Sequence, residues 1–419
     1  MQLSRHVRDV QNDGLEVLRR KLVRAICCGI LIVNVVIALP IVVLCRLCRL
    51  FRVVRFGFFT VDRIGHFSFD VEYYLVETAV ERRTKPHIDL FYFMGTPANT
   101  SFASISRRSL NVNSLVRPLY LANNLLPGGA AHRILPAREL TASRDKLGLL
   151  ASVPSQLAFN VEEVEMGRNY LQELGLAHDD KYVCLIIRDS KYLTETFVER
   201  DWSYHNFRDT NINDYNEAIV ALVQKGYWVF RMGKVVHHPL EVKHSRVIDY
   251  ATSELRCDLL DVWLTANCYF AVSTGLGLDS IADIFRRPMV FVNYLPLIDM
   301  ETWGPYITVP KALTWCASGK PLNLFEQIRH SSLNGHYYNE KGIDINDLSG
   351  DQIKNAVLEM ETRLSGKWLD TRADENLQKT FWDELRTHPE YSRYHGWVHP
   401  QARIGTHYLR DAKDWLFNK

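Results

Sequence analysis

Basic, hydroxyl-bearing and small residues follow three apolar runs in the middle of the chain. They are Arg188 after residues 182–187, Arg231 and Gly233 after 227–230, and Ser273, Thr274 and Gly275 after 269–272. Guanidinium groups, hydroxyls and the backbone N–H groups that open a helix all bind phosphate oxygens. A Ser-Thr-Gly turn on its own is more often a helix cap than a ligand site. Three such loops, each at the end of a strand of one sheet, predict a site for a diphosphate.

A fourth strand end carries Asp249 and Tyr250, directly after a short apolar stretch at 247–248. This position suits contacts with the base and ribose of a nucleotide, with Tyr250 stacking on the base or its backbone reading it. A turn in which Asp249 serves as a cap is an equally good interpretation.

The segment 192–211 is rich in charged and aromatic residues and is too long for a simple connection. We expect it to cover a bound ligand or to bind a second substrate through His205 and Arg208. Asp209 is a second candidate for proton transfer in this segment. An ion pair between Arg208 and Asp209 that only stabilises the fold is an equally good interpretation.

Arg63, Gly65 and His66 follow a predicted strand at 56–61, in a segment predicted as a loop. Glycine allows a ligand to approach the backbone closely, and Arg63 adds a positive charge beside it. His66 is the preferred general base for a hydroxyl, because the pKa of histidine lies near neutral pH. A structural histidine is the alternative. The sequence shows no metal-binding or P-loop motif, so we expect no metal and no cofactor.

Strands and helices alternate along the chain, and this pattern predicts two doubly wound α/β domains. We predict a membrane-associated segment at 1–56, a Rossmann-like domain for one substrate at 57–160 and a second Rossmann-like domain for the nucleotide at 161–365. Residues 366–419 are predicted to form helices that pack back on these domains. The helix in the first domain is predicted to begin at residue 69.

Residues 25–45 form an uncharged stretch of 21 residues, long enough to cross a hydrocarbon core of about 30 Å. Basic residues flank both ends, so the positive-inside rule does not fix the orientation. A single span and a re-entrant hairpin broken at Pro40 both remain possible. Arginines at 46, 49, 52 and 55 predict a helix at the headgroup boundary, with a solvated segment as the alternative. We expect residues 1–56 to be dispensable for folding.

The sequence resembles the glycosyltransferases that are encoded in bacterial surface-polysaccharide loci. The resemblance is carried by HNFRDTNINDYNEAIVALVQKGYWVFRMG at 205–233, VIDYATSELRCDLLDVWLTANCYFAVSTGLGLDSIADIFRRP at 247–288, RIGHFSFDVEYYL at 63–75 and YVCLIIRDSKYL at 182–193. It covers roughly residues 57–365. It implies the GT-B fold of two Rossmann-like domains, distantly similar to heptosyltransferases and protein O-fucosyltransferases. The implied chemistry is inverting and metal-independent, with Arg231 and the turn at 273–275 on the diphosphate and Gly65–His66 facing the acceptor.

The resulting hypothesis is a glycosyltransferase at the inner (cytoplasmic) membrane, with its catalytic body facing the cytoplasm. Its substrates would be a nucleotide sugar and a lipid-linked or growing oligosaccharide acceptor, and a net charge of +2 gives no indication of nucleic-acid binding. A nucleotide-sugar epimerase or hydrolase is one alternative, which would need more carboxylates in the cleft and no anchor. A non-catalytic subunit of a polysaccharide assembly complex is the other. Replacement of Arg231 by alanine is expected to weaken donor binding by more than about tenfold.

Overall fold

The structure is a computed structural model that describes residues 2–81, 86–189, 191 and 203–418 of the 419-residue chain, with the backbone alone at 2–17, 203 and 205. Most of the predicted covering segment at 192–211, and the side chain of His205 within it, therefore lies outside the described residues. The chain forms two compact units. The N-terminal unit comprises Met1–Thr60, Glu81–Thr96 and Arg107–Pro136, and the main unit comprises Val61–Val80, Pro97–Ser106 and Ala137–Lys419. These boundaries differ from the predicted domains, because residues 61–80 belong to the main unit.

Sixteen helices and eleven strands are defined in the described residues. The helices are α1 (Gln2–Leu47), α2 (Ile64–Val80), α3 (Thr100–Ser109), α4 (Val116–Leu125), α5 (Ala137–Thr141), α6 (Leu149–Ser152), α7 (Val161–Glu173), α8 (Asn216–Gln224), α9 (Asp258–Asn267), α10 (Asp279–Ile284), α11 (Leu324–Arg329), α12 (Gly335–Glu340), α13 (Gly350–Leu364), α14 (Arg372–Leu385), α15 (Tyr391–Tyr394) and α16 (Thr406–Leu416). The strands are β1 (Val53–Thr60), β2 (His87–Met94), β3 (Tyr182–Ile186), β4 (Trp228–Arg231), β5 (Val247–Ile248), β6 (Phe270–Ser273), β7 (Met289–Tyr294), β8 (Tyr306–Pro310), β9 (Ala312–Trp315), β10 (Ile343–Asn346) and β11 (Arg403–Ile404).

The main unit is built on a parallel sheet of seven strands in the order β11-β8-β7-β6-β3-β4-β5. Strands β3, β4, β6 and β7 are buried along their whole length, as expected for continuous apolar runs covered by helices on both faces. The chain leaves β3 towards β4 on one side and later returns to β6 on the other side. This reversal makes the carboxyl ends of β3 and β6 the place where such sheets bind ligands. The predicted mixed α/β fold with a large parallel sheet is confirmed.

The C-terminal residues pack on the same unit, where they also supply a strand. β11 pairs in parallel with β8 at the edge of the sheet, through Arg403 opposite Ile307 and Ile404 opposite Thr308. Ile404 is fully buried, and α14 and α16 contact each other behind it. The C-terminal extension therefore completes the core of the main unit.

The N-terminal unit pairs β1 with β2 in parallel over eight residues, and α1 packs along α4. Helix α1 runs without a break through Pro40, so the alternative of a hairpin broken at that residue is wrong. It ends at Leu47, where Arg46 hydrogen-bonds to Asn123 and to the carbonyl oxygens of Leu126 and Pro127. The predicted juxtamembrane helix at 46–55 is found only in its first half: helical structure continues to Leu50, whereas residues 53–55 belong to β1, which pairs with β2.

The predicted long apolar helix is confirmed. The stretch Leu18–Leu50 is long and apolar enough to cross a membrane. Its most apolar 18 residues have a mean hydropathy of 2.9, and 11% of these residues are buried. Large apolar side chains such as Ile32, Val36 and Leu44 are about 60% exposed. Ala38 and Val42, by contrast, are buried against α4. The last turns of the apolar stretch therefore belong to the folded unit.

This packing changes the deletion that the fold should tolerate. Removal of residues 2–30 takes away side chains that are mostly exposed over the described positions 18–30, and it leaves 15 uncharged residues at 31–45, too few for a span of about 30 Å. We expect this variant to unfold at the same temperature as the full chain and to leave the membrane fraction. Removal of residues 2–56 also takes away half of β1, including the fully buried Phe56, and should lower the unfolding temperature or abolish soluble expression. Equal thermal stability of the two deletions would contradict this assignment of the core.

Candidate functional site

A cavity of about 630 Å³ opens in the main unit at the carboxyl ends of β3, β4 and β6. The loops at 187–189, 232–236 and 275–280 all line it, so the three predicted loops come together. Basic side chains in its wall are Arg63, Arg144, Arg188, Arg208, Lys234 and Arg393, and acidic ones are Asp62, Asp189, Asp261, Asp279, Asp283, Asp299 and Glu301. Its volume is within the range of sites for small molecules and cofactors.

Two guanidinium groups approach each other in this cavity. Arg188 is fixed by its Nε, which donates to Oδ1 of Asp209 at 2.9 Å, and by its backbone N–H, which donates to Thr274 Oγ1 at 3.0 Å. Arg208 donates to the carbonyl oxygen of Gly275. Burial, together with the charge of Arg208, lowers the pKa of Arg188, although Asp209 opposes this shift. Two like charges that are both partly buried favour an anion between them, so this pair is a candidate phosphate site.

The contact between Arg188 and Asp209 also bears on the role of Asp209. Asp209 accepts from Arg188, so its carboxylate is held by a guanidinium group of the cavity wall. A carboxylate held by a guanidinium is a weak proton acceptor, because the positive charge stabilises its ionised form. The geometry therefore favours a supporting role for Asp209 beneath the arginine pair.

The hydroxyl groups of the Ser-Thr-Gly turn are engaged within the turn. Ser273 Oγ donates to Oδ2 of Asp279 at 2.6 Å, and the Leu276 N–H donates to the same oxygen at 2.5 Å. Thr274 Oγ1 accepts from Arg188, and both hydroxyl residues are almost completely buried. The expected direct contact of Ser273 and Thr274 with a phosphate is thus not what the structure shows, because the carboxylate of Asp279 takes the position at the start of α10. Gly275 itself lines the cavity with a φ of +76°, where a Cβ would approach Tyr294 within 2.9 Å.

Arg231 lies under the cavity wall, with only 3% of its surface exposed. Its guanidinium is 3.6 Å from Oδ1 of Asp249 and 4.0 Å from Oδ2 of Asp189, and it donates to the carbonyl oxygen of His238. Asp249 in turn accepts from the Leu240 N–H at 2.8 Å. These contacts place Arg231 and Asp249 in a buried ion-pair network that shapes the loop after β4, where diphosphate and ribose contacts were expected.

Tyr250 is also in the core, with no exposed surface. Its hydroxyl donates to the carbonyl oxygen of Cys257 at 3.2 Å, and its ring packs edge-on against Tyr170. The predicted stacking of this ring on a nucleotide base is therefore wrong, because the ring fills the space between α7 and the short turn at 250–252. The glycine of the same loop, Gly233, does line the cavity.

His66 also lines the cavity, together with its neighbours Arg63 and Gly65. Its Nδ1 lies 2.9 Å from Ser143 Oγ. Burial, together with the charges of Arg138 and Arg63, lowers the pKa of His66 to about 4. The imidazole is therefore neutral at pH 7 and can accept a proton, as a general base must.

Ser143 connects His66 to a buried carboxylate that was not predicted from the sequence. Its hydroxyl donates to Oδ1 of Asp70 at 2.9 Å, and the Arg138 N–H donates to the same oxygen at 2.9 Å. Asp70 is 1% exposed, and burial raises its pKa to about 7. His66 and Asp70 are four residues apart on α2 and so share one face of the helix.

Acidic residues also line the cavity. Asp283 accepts from the Trp303 indole N–H at 3.0 Å and from the Tyr306 hydroxyl. Burial and the carboxylates of Asp279 and Asp283 raise the pKa of Glu301 well above its usual range. Arg144 offsets part of this charge through its ion pair with Asp299. None of these acids was singled out in the sequence, where nothing marks residues 299–303 as part of a site.

Gly65 was predicted in a loop, but it lies in the first turn of α2, which begins at Ile64 and not at residue 69. A Cβ at this position would lie 2.9 Å from the Cα of Gly277, a backbone atom that cannot rotate away. We expect Gly65→Ala to destabilise the main unit by about 1–3 kcal/mol, as overpacking does. Chemical denaturation measures the effect, and Gly29→Ala, whose added Cβ meets nothing within 4 Å, serves as the matched control. Equal stability of the two variants would show that α2 does not pack against this loop.

Within the described residues, no group of three or more His, Cys, Asp or Glu side chains has the arrangement of a metal site. The predicted residues that the cavity brings together are Arg63, Gly65, His66, Arg188, Arg208, Gly233 and Gly275. Lys234, Ser143 and Glu301 join them without having been predicted as site residues.

No protein-family model matches the chain, and no curated protein matches it. Among solved structures, it is similar to a glycosyl transferase of family 9 from Veillonella parvula, with 10% identity and a TM-score of 0.39 over 61% of this chain and 85% of that one. It is similar to E. coli ADP-heptose LPS heptosyltransferase II, with 13% identity and a TM-score of 0.37 over 61% and 90% of the two chains. The iron-containing dodecameric glycosyltransferase TibC from enterotoxigenic E. coli gives 13% identity and a TM-score of 0.38 over 74% and 77%. These solved structures are glycosyltransferases, the class of enzyme that the sequence resembles.

Proposed function

We propose that this chain is a glycosyltransferase that transfers a sugar from a nucleotide-sugar donor to a hydroxyl group of an acceptor. One observation carries the proposal: a single cavity at the reversal of the sheet order holds the Arg188–Arg208 pair and a neutral His66. The arginine pair is suited to binding a diphosphate, and the imidazole is suited to accepting the proton of a hydroxyl group. A transfer reaction needs both in one site.

In the proposed reaction, His66 accepts the proton of the acceptor hydroxyl through its Nε2. The oxygen forms a bond to the anomeric carbon of the sugar, and the bond from that carbon to the diphosphate oxygen breaks. The electron pair leaves with the nucleoside diphosphate, whose added charge is offset by Arg188 and Arg208. A single displacement of this kind inverts the configuration at the anomeric carbon. It needs no cofactor beyond the donor itself.

We further propose that the acceptor is lipid-linked or a growing surface glycan and that the enzyme acts at the inner membrane, with its body in the cytoplasm. The support is the exposed apolar face of α1, on which Ile32, Val36 and Leu44 point away from the folded unit. Anchoring confines enzyme and lipid-linked acceptor to the same surface and so raises the frequency of their encounters.

The test is a thermal-shift screen of the full chain against UDP-, GDP-, ADP- and CMP-sugars, followed by a transfer assay with the donor that binds. We expect one nucleotide class to raise the unfolding temperature, and the sugar to appear on a lipid or oligosaccharide acceptor. Donor binding without any turnover would support the non-catalytic subunit instead. If no nucleotide sugar binds, the proposal is wrong.

A nucleotide-sugar hydrolase or epimerase remains the second candidate, because seven carboxylates line the cavity. The raised pKa of Glu301 favours its protonated form, which is the form that supplies a proton to a leaving group. This candidate requires the donor to be consumed in the absence of an acceptor. Release of free sugar or of an epimer at the same rate with and without acceptor would therefore favour it over transfer.

A further inference from the structure

We infer that Ser143 and Asp70 are positioning residues that hold the proton of the His66 imidazole on Nδ1 and leave the lone pair of Nε2 for the substrate. The inference rests on the proposed function, in which His66 is the base. It goes beyond it by stating which ring nitrogen takes the proton and what fixes that choice.

The direction of the hydrogen bonds carries the argument. Ser143 has one hydroxyl hydrogen, which it donates to Asp70 Oδ1. Towards His66 the serine oxygen can therefore only accept, and the 2.9 Å contact with Nδ1 requires the hydrogen to be on that nitrogen. A neutral imidazole with its proton on Nδ1 has its lone pair on Nε2.

Asp70 fixes this direction because its Oδ1 already accepts the backbone N–H of Arg138, which cannot reverse. Because the pKa of Asp70 is raised to about 7, part of the population is protonated at neutral pH, but with two hydrogens already donated to Oδ1 the acid proton belongs on Oδ2, and Oδ1 accepts in both states. Its second oxygen is buried and accepts no hydrogen bond from any described residue. The charged groups that act on Asp70 are Arg138 and Glu139. Those that act on His66 are Arg138, Arg63 and Asp62.

The backbone at Ser143 is a second observation. Ser143 and the preceding Ala142 both have a φ of +56°, in the left-handed region that residues other than glycine and asparagine rarely adopt. Strain of this kind persists only where surrounding contacts enforce it, and it is concentrated at functional sites. Here it directs the Ser143 hydroxyl into the space between His66 and Asp70.

The test combines the ring tautomer with kinetics in the full-length protein in detergent. We expect the nitrogen NMR shifts of ¹⁵N-labelled histidine, assigned to His66 by subtraction of a His66→Ala sample, to show Nδ1 protonated in the wild type. Ser143→Gly removes the hydroxyl but suits the positive φ. It should move the proton towards Nε2 and lower kcat by about tenfold or more, as loss of a correctly presented base does, without lowering the unfolding temperature. A structural role alone would lower stability and leave the tautomer unchanged.

Three variants complete the design. Ala142→Gly relieves the same kind of backbone strain and should keep the wild-type tautomer. Asp70→Asn keeps an oxygen for the Ser143 and Arg138 hydrogens and should also keep it, whereas Asp70→Leu removes that acceptor and should lose it.

The inference is overturned if wild-type His66 carries its proton on Nε2, or if Ser143→Gly leaves the tautomer and kcat unchanged. The proposed transferase is judged separately, by product formation in the wild type, so the two can fail independently.

Discussion

Glutamine in place of Arg188 is expected to weaken the binding of a nucleoside diphosphate by about ten- to a hundredfold, as loss of one charge-assisted hydrogen bond does. The side chain lies in the cavity wall, and its partner Asp209 leaves other N–H groups of the guanidinium for a phosphate. The backbone contact from residue 188 to Thr274 does not depend on the side chain and should survive. Isothermal calorimetry with UDP, GDP, ADP and CMP measures the effect on the full chain, with CMP as a monophosphate comparator.

Arg231→Gln is the matched control, since it removes the same group one loop away. The buried Arg231 lies between two carboxylates that are each 15% exposed, and breaking a buried ion-pair network costs up to about 3–5 kcal/mol of folding free energy. We therefore expect this variant to unfold at much lower denaturant concentration, while the fraction that remains folded binds the nucleotide with nearly normal affinity. If Arg231→Gln instead lowers affinity as much as Arg188→Gln does, with unchanged stability, the anion site lies at the loop after β4.

The comparison of these two arginines shows what the sequence can and cannot establish about the site. Both follow a strand of the same sheet, and the alternation of strands and helices predicts that correctly. Whether a guanidinium faces a cavity or a carboxylate depends on Asp189 and Asp249, which are 42 and 18 positions away along the chain from Arg231. The pattern of one segment contains no information about such long-range pairing.

The strands of the sheet centre were predictable for a physical reason. β3, β6 and β7 are buried on both faces, so they appear in the sequence as uninterrupted apolar runs. One side of the sheet gives no such signal: β8, the strand next to the edge, ends at Pro310, and the edge strand β11 has only two residues. A proline and a two-residue strand both lack the pattern by which strands are recognised.

The start of α2 was missed because glycine disfavours a helix interior by up to about 1 kcal/mol. Here the close approach of the Gly277 backbone selects Gly65 over any larger residue. With the helix starting at Ile64, the spacing of four between His66 and Asp70 becomes visible as a shared face. The sequence thus contained the signal for the buried acid, and a wrong helix boundary concealed it.

The sequence pair Ser273–Thr274 has two possible interpretations. A hydroxyl pair before a helix can bind a phosphate or cap the helix, and Asp279 in the first turn decides between these in favour of an internal cap. An acid at that position competes for the same N–H groups that a phosphate would need. We therefore assign the proposed phosphate contacts to Arg188 and Arg208 and not to the two hydroxyl groups.

Replacement of His66 by alanine is expected to lower kcat for transfer by about 10²–10⁴-fold, the usual contribution of a general base, with little change in donor affinity. The imidazole lines the cavity and its Nδ1 contacts Ser143, and it is neutral at pH 7, so we expect it to act on the acceptor hydroxyl and not on the diphosphate. Product formation at saturating donor gives kcat, and calorimetry with the nucleoside diphosphate gives the affinity.

The pH dependence of the wild type provides a second measurement of the same group. Because its pKa in the folded protein is lowered to about 4, His66 stays unprotonated throughout the neutral range. His66 loses its capacity as a base only as the pH falls through about 4. The loss of activity at that pH should therefore be absent from the residual activity of His66→Ala.

A normal kcat in His66→Ala together with a large loss in Asp209→Asn would assign the role of base to Asp209. In that case Asp209 would have to accept the proton while it also accepts a hydrogen bond from Arg188. Arg188→Gln should then also lower kcat strongly when kcat is measured at saturating donor.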